Sequence, residues 1–249
     1  MYRFFESNAA LHDGTIALSK ENSHHMISVL RMNENEEFEI VIDQHVYLCR
    51  LENLDKSEAI ALIIEDYEDK NEADIKINLY QGLPKSDKLE LIIQKAVELG
   101  VTKIIPFESS RTVVKWDAKK EAKKLKRYEE IAHSAAKQAK RAFVPAIEKS
   151  ISFKEMLASL ENKFVLLAYE NRGTSLKSIL QDKKDKVEDK EINIIIGPEG
   201  GFSEEEVKVF EEIGAHIVHL GNRILRTETA AIAMLAMVQY EVGDVNEEI

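Results

Sequence analysis

Two segments of this chain join an apolar run to a glycine-bearing turn and then to a helical pattern. In open α/β proteins that arrangement exposes main chain to a ligand. The first, Ile192–Gly201, reads INIIIGPEGG and continues into Phe202-Ser203-Glu204-Glu205-Glu206. Ser203 with Glu206 three residues on forms a capping box that starts a helix, and Gly214 is placed to end it. The turn therefore falls at the carboxyl edge of a strand. Gly197, Gly200 and Gly201 permit positive φ and a close ligand approach. No Lys-Ser/Thr pair follows as in a P-loop, and the spacing is not G-x-G-x-x-G. Glu199 inside the turn disfavours phosphate and suits a neutral or cationic ligand. Taken alone, such a turn is equally compatible with a purely structural role. The second segment, His219–Ala230 (HLGNRILRTETA), repeats the pattern with Arg223 and Arg226 three residues apart and Thr227 and Thr229 available as N-cap hydroxyls. Two such turns at one sheet edge can build a single pocket, and their coincidence says more than either turn alone.

Charge supplies a third feature. From Arg111 to Arg141 there are eleven Lys and Arg against four Asp and Glu, a local charge of +7 in a chain whose total is −11. Such segregation is the footprint expected of a protein that meets a phosphate backbone, with a solvated helix face as the plain alternative. Trp116, beside Lys115, is a candidate for stacking on a base or for burial. Lys85-Ser86-Asp87-Lys88 precedes an amphipathic helix bearing Leu89, Ile92, Ile93, Ala96, Val97 and Leu99. Ser86 is its expected N-cap, and Lys85 and Lys88 add positive surface. No metal is expected: His24 and His25 are adjacent, while His216 and His219, three apart in a strand, face opposite ways. No Gly-x-Ser-x-Gly elbow is present, which weakens a hydrolase reading.

The elements that must position these residues change character along the chain. Glu37–Asp43, His45–Leu51 and Ala59–Glu65 read as short strands, with one helix at Glu21–Arg31, so the first seventy residues form a β-rich unit. The acidic stretch Asp66–Asp74 is the expected boundary between domains at 1–70 and 74–249. Beyond it, strands at Ile75–Tyr80, Thr102–Pro106, Phe164–Tyr169, Ile192–Ile196 and His216–Leu220 alternate with helices at Asp87–Leu99, Lys119–Arg141, Phe153–Leu160 and Glu204–Ile213. That alternation predicts an α/β domain with a largely parallel sheet buried on both faces. A last helix, Thr229–Tyr240, is apolar around most of its circumference and is either a core helix or a subunit interface. Lys183–Glu191 reads as a solvated mixed-charge loop. At 249 residues, 44% hydrophobic and 32% charged, with 4 Pro and 10 Gly, the chain is a core-forming one rather than a disordered or collagen-like one. A single cysteine, Cys49, excludes an internal disulfide and fits a reducing compartment. No apolar run approaches a membrane span and Met1–Phe5 lacks a signal-peptide core, so a cytoplasmic location is expected.

Several of these segments together resemble the RsmE-type methyltransferases, which methylate N3 of a uridine in 16S ribosomal RNA. The likeness rests on Gln81–Val101 (QGLPKSDKLELIIQKAVELGV), Arg111–Trp116 (RTVVKW), AAKQAKRAFVPAI up to Ile147, IGPEGGFS, LGNRILRTETA and the N-terminal HHMISVLRM. One departure is Asn222, where the family commonly has Pro. The resemblance implies a PUA-like β-barrel followed by a SPOUT-type domain with a C-terminal trefoil knot, a homodimer, and S-adenosyl-L-methionine (AdoMet) as cofactor. It further implies that Gly197, Pro198, Glu199, Gly200 and Gly201 form one cofactor loop and Leu220, Gly221, Ile224, Leu225, Arg226 and Ala230 the other, with Leu167 as a wall. Arg226 is the expected catalytic residue, holding negative charge on the uracil ring, and Glu199 and Glu228 are alternative bases. Arg31, Lys85, Lys88, Arg111, Lys115, Lys137 and Arg141 are expected to contact RNA phosphates. Two other readings compete: a non-catalytic RNA-binding protein, and an α/β enzyme with nucleotide phosphate in the 197–201 turn.

Overall fold

The computed structural model describes residues 1–249 except 35, 56–57, 70, 184–190, 244 and 246–249. Most of the mixed-charge loop read at Lys183–Glu191 thus lies outside the described residues. Met1–Glu72 with Ala136–Val144 form one compact unit, and Ala73–Ala135 with Pro145–Ile249 a second. Sequence reasoning assigned residues 136–144 to the later domain; their packing is with the first.

In the first unit, strands β1 (Arg3–Phe5), β2 (Leu11–His12) and β3 (Thr15–Ala17) precede helix α1 (Lys20–His24), and β4 (Glu37–Ile42), β5 (His45–Leu51) and β6 (Ile60–Glu68) follow it. The sheet order is β1-β4-β5-β6-β3-β2, antiparallel except for the β1–β4 pair. The expected helix over Glu21–Arg31 is α1, capped by the Ser19 hydroxyl, running into a π-helical turn at His25–Val29. Met26 on that turn is buried against Phe4, Phe38 and Ile40, whereas Arg31 lies beyond it at φ 55° and is exposed. Cys49 is a free, buried thiol pushed by that burial up to about 12, which keeps it protonated and unreactive.

Segment 136–144 is held in this unit by buried polar contacts. Arg3 donates from Nε to Glu39 and from Nη1 to the carbonyls of Lys140 and Arg141. Lys137, half-buried, donates to Asn22 Oδ1 at 3.2 Å with its ammonium over the Phe4 ring. Arg141, 4% exposed, donates from Nε to Glu72 at 2.8 Å and lies over the Phe143 ring. Two of the expected phosphate contacts are therefore committed inside the unit, because desolvated cations must keep protein partners. Arg141→Ala is expected to cost about 3 kcal/mol in urea unfolding, since it strips Glu72 of its partner, and to leave the salt dependence of RNA binding unchanged.

The second unit continues with β7 (Lys76–Gly82), α2 (Lys88–Glu98), β8 (Lys103–Glu108), α3 (Ala118–Gln138, whose last turn belongs to the first unit), β9 (Ala146–Ile147), β10 (Ile151–Ser152), α4 (Phe153–Leu160) and β11 (Val165–Ala168). It ends with β12 (Thr174–Ser175), α5 (Leu176–Lys183), β13 (Glu191–Ile196), α6 (Glu204–Glu212), β14 (His216–His219) and α7 (Thr227–Val242). The sheet order is β10-β8-β7-β13-β11-β14-β12, with β9 beside β8, and every pairing is parallel. A parallel sheet is covered on both faces, which is why Ile192, Ile194, Ile195 and Ile196 of β13 are all buried. The chain leaves β7 towards β8 on one side and returns through β11 on the other, with β13 between β7 and β11. Crevices open at the carboxyl ends of strands at such a reversal. Phe202 anchors the following turn, stacked on Phe107 and edge-on to Phe210. α7 is buried along Ala231, Met234, Leu235 and Val238, but Met237 and Tyr240 are 43% and 59% exposed, so one face of this apolar helix is left uncovered.

Candidate functional site

The ends of β11 and β13, the turn after β13, residues 224–226 and the start of α7 line a cavity of about 380 Å³. That volume lies within the range of roughly 300–1,000 Å³ typical of small-molecule sites. Gly197, Pro198, Glu199 and Gly201 line it from one turn, and Ile224, Leu225, Arg226 and Ala230 from the other, so the two glycine segments do build one pocket. Leu220 and Gly221 line a smaller adjoining crevice that shares Ala168, Glu170, Leu225 and Ala230 with the main cavity. Gly200 is not on the wall. Leu167, on β11 beside β13, is fully buried in the core, and Ala168, the next residue, faces the cavity instead.

The 197–201 turn keeps its shape through close contacts. Only Gly201 of its three glycines uses positive φ, at 64°. Pro198 lies against Gly82 at the end of β7, where an added Cβ would meet Pro198 N and Cδ at 2.5 Å. Thr227 Oγ1 donates to the Gly197 carbonyl at 2.7 Å and accepts from the buried Gln81 amide at 2.9 Å. This threonine is therefore not an N-cap: Arg226 occupies that position with no side-chain cap. On the far side, Glu206 accepts from Ser203 N, as the capping box requires, and with its other oxygen from Ser110 N at 2.8 Å. Arg111 donates to the Gly200 carbonyl, which fastens the segment after β8 to the same turn.

Charge around the cavity is arranged by pairing. Lys88 Nζ lies 2.9 Å from Glu199 Oε1 and 3.2 Å from Glu228 Oε2. Burial pushes the Glu199 carboxyl up, but hydrogen bonds from Lys88 and from its own and the Lys85 N–H outweigh this and hold it below the usual carboxylate range. The Glu199 hydrogen bond in turn raises the Lys88 ammonium. Ser86, expected as N-cap of α2, instead sits at φ 58°, and Asp87 precedes the helix without a side-chain cap. The Glu199 carboxylate accepts from Lys85 N at 3.1 Å, two residues before that position, and so fastens the entry to α2. Arg226, Arg223 and Glu170 line the crevices with side chains that have no hydrogen-bond or ion-pair partner among the described residues. Ile224, 86% exposed, is an apolar side chain open to whatever fills the cavity.

Of the other expected RNA contacts in this unit, Lys85, Arg111 and Lys115 are exposed. Trp116, half-buried, packs against Tyr128 with the Lys124 ammonium 5.6 Å from its ring. Arg127 is held by Glu90. Among the described residues no helix is long and apolar enough to cross a membrane, and no group of three or more His, Cys, Asp or Glu could hold a metal.

Comparison with known proteins converges on one family. An RNA methyltransferase domain model matches residues 71–239 and an RNA methyltransferase PUA domain model residues 18–64. The ribosomal RNA small subunit methyltransferase E of Bacillus subtilis is 36% identical over 91% of this chain and 90% of its own length. That of Mesomycoplasma hyopneumoniae is 37% identical over 94% and 97%. The chain belongs to this family. Another methyltransferase E, from Neisseria gonorrhoeae and solved bound to S-adenosyl methionine, is 33% identical, with a TM-score of 0.87 over 99% of this chain and 100% of that one. The two units of this methyltransferase E family member are thus a PUA-like domain and a SPOUT-type catalytic domain.

Sequence reasoning missed Ala168, Glu170 and Phe202 on the cavity wall. Strand alternation offered no signal for the first, since Leu166 and Leu167, on opposite faces of β11, are both fully buried. The pairing of Lys88 with Glu199 and Glu228 had none, because it joins residues more than a hundred positions apart.

Proposed function

We propose that this chain transfers a methyl group from AdoMet to N3 of a uridine in 16S rRNA of the small ribosomal subunit. The observation that carries the reading is the single cavity built jointly by the 197–201 turn and the 220–226 loop, with the unpartnered Arg226 guanidinium on its wall. Main-chain groups at Gly197, Pro198 and Gly201 and apolar walls from Ile196, Ile224, Leu225 and Ala230 suit a purine nucleoside. The Glu199 carboxylate suits the cationic remainder. When bound, AdoMet supplies an electrophilic methyl on a cationic sulfur.

The chain's own residues do the rest. Arg226 holds the negative charge that spreads over the uracil oxygens as N3 gives up its proton. Glu199 and Glu228 are both turned towards Lys88, and Glu199 is a weakened base for that reason; Glu170, on both crevices and without a partner, is the open carboxylate for the proton. Lys85, Arg111 and Lys115 meet phosphates flanking an extruded base, and Arg31, from its own unit, meets RNA phosphate.

The uncovered face of α7, with Met237 and Tyr240, is the surface for a second copy, giving a homodimer. The 197–201 and 220–226 segments are the crossing loops of a trefoil knot, and the protein works in the cytoplasm. Incubation with methyl-labelled AdoMet and small ribosomal subunits, followed by mapping of the modified base, tests the reading. Label at N3 of one uridine is the expected result; label elsewhere or none overturns it.

A further inference from the structure

Lys88 opens α2, and its ammonium reaches two carboxylates from different parts of the cavity wall, Glu199 of the 197–201 turn and Glu228 of the first turn of α7. The three side chains are 28%, 28% and 15% exposed, so the charges are screened less than a fully exposed pair would be. Without the cation, two carboxylates converging on one point repel, and the turns that carry them are pushed apart. With it, the same pair becomes a clamp. The Glu199 side is further fixed by the Lys85 N–H, and the Glu228 side stands next to Thr227, whose hydroxyl bonds the Gly197 carbonyl. A lysine engaged in this way neutralises a phosphate only by abandoning both carboxylates.

We propose that Lys88 is a positioning residue for the methyl donor, an internal counter-ion that holds the two loops of the cavity at the spacing the donor needs, and not an RNA phosphate contact. The inference rests on the reading of the cavity as the AdoMet site. It separates two roles that look identical in sequence, since Lys85 and Lys88 are equally plausible phosphate ligands there. The other charged groups on the cavity, Arg226 and Glu170, have no part in the clamp.

The test is calorimetric titration of AdoMet into the wild-type protein and into Lys88→Met, Lys88→Arg and the double variant Lys88→Met/Glu228→Gln, alongside the salt dependence of RNA binding. Lys88→Met is expected to weaken AdoMet about ten-fold, Lys88→Arg to stay within about two-fold of wild type, and the double variant to regain most of the loss because the repulsion is gone. The slope of log affinity for RNA against log salt stays at the wild-type value. Unchanged AdoMet affinity in Lys88→Met overturns the proposal, and so does a slope shallower by about 0.7–0.9, the signature of one lost phosphate contact. A wild-type protein that gives no AdoMet binding overturns instead the reading of the cavity itself.

Discussion

Arg226→Ala is expected to lower single-turnover methyl transfer by about two orders of magnitude while AdoMet affinity changes by less than about three-fold. The reasoning is one of differential charge. AdoMet carries a net positive charge, so a guanidinium on the cavity wall adds little to the bound donor, whereas the uracil ring gains negative charge only as N3 loses its proton. An interaction that strengthens on the way to the transition state appears in turnover and not in ground-state binding. Stability is not expected to change, because Arg226 occupies the N-cap of α7 without a side-chain cap and makes no ion pair among the described residues. Rapid-quench transfer of label, calorimetry and a thermal melt separate the three quantities. Near-normal transfer by the variant removes Arg226 from the chemistry.

A second large effect is expected from a single methyl group outside the cavity. In Gly82→Ala the new Cβ falls 2.5 Å from Pro198 N and Cδ and 2.9 Å from the Gly197 carbonyl carbon. Neither side can yield cheaply. Gly82 is fixed by its pairing with Phe107 on β8, and the Gly197 carbonyl is held by Thr227. Overpacking of this kind costs about 1–3 kcal/mol, and here it acts on the main chain that forms the cavity wall. Gly82→Ala is therefore expected to lower the unfolding midpoint and to weaken AdoMet at least about ten-fold. Gly214→Ala is the control: it has positive φ but open space around the new Cβ, so it is strained without touching the cavity. Equal AdoMet affinities in the two variants would show that the contact at Pro198 does not shape the site.

What the sequence disclosed and what it hid follow the range of the interactions. The capping box at Ser203 and Glu206 is local, and α6 begins where it predicts. The apolar run of β13 and the alternation of strands with helices were enough for a parallel sheet, and hence for two glycine turns on one edge. Strands of two or three residues, such as β2, β9 and β12, carry too few side chains to show a period and went unseen. Basic residues were the least legible. Lys88, Lys137 and Arg141 have the same composition signal as Lys115, yet the first three are turned to Glu199 and Glu228, to Asn22 and to Glu72. Only long-range geometry tells a buried cation from a surface one. The choice of Leu167 over Ala168 erred by one residue on a strand, enough to exchange core for cavity.

The discontinuity of the PUA-like unit bears on how the protein is made. A nascent chain has all six strands of that sheet once Glu68 has been added, but the carbonyls that receive Arg3 arrive only with Lys140 and Arg141, and so does the guanidinium that pairs with Glu72. Vectorial synthesis therefore leaves Glu72 without its Arg141 partner, and the Arg3 guanidinium with only Glu39 and Asp69, until more than a third of the catalytic module has also emerged. A gene fragment ending near codon 72 encodes an incomplete object, and grafting this module onto another protein requires the 136–144 strap to travel with it.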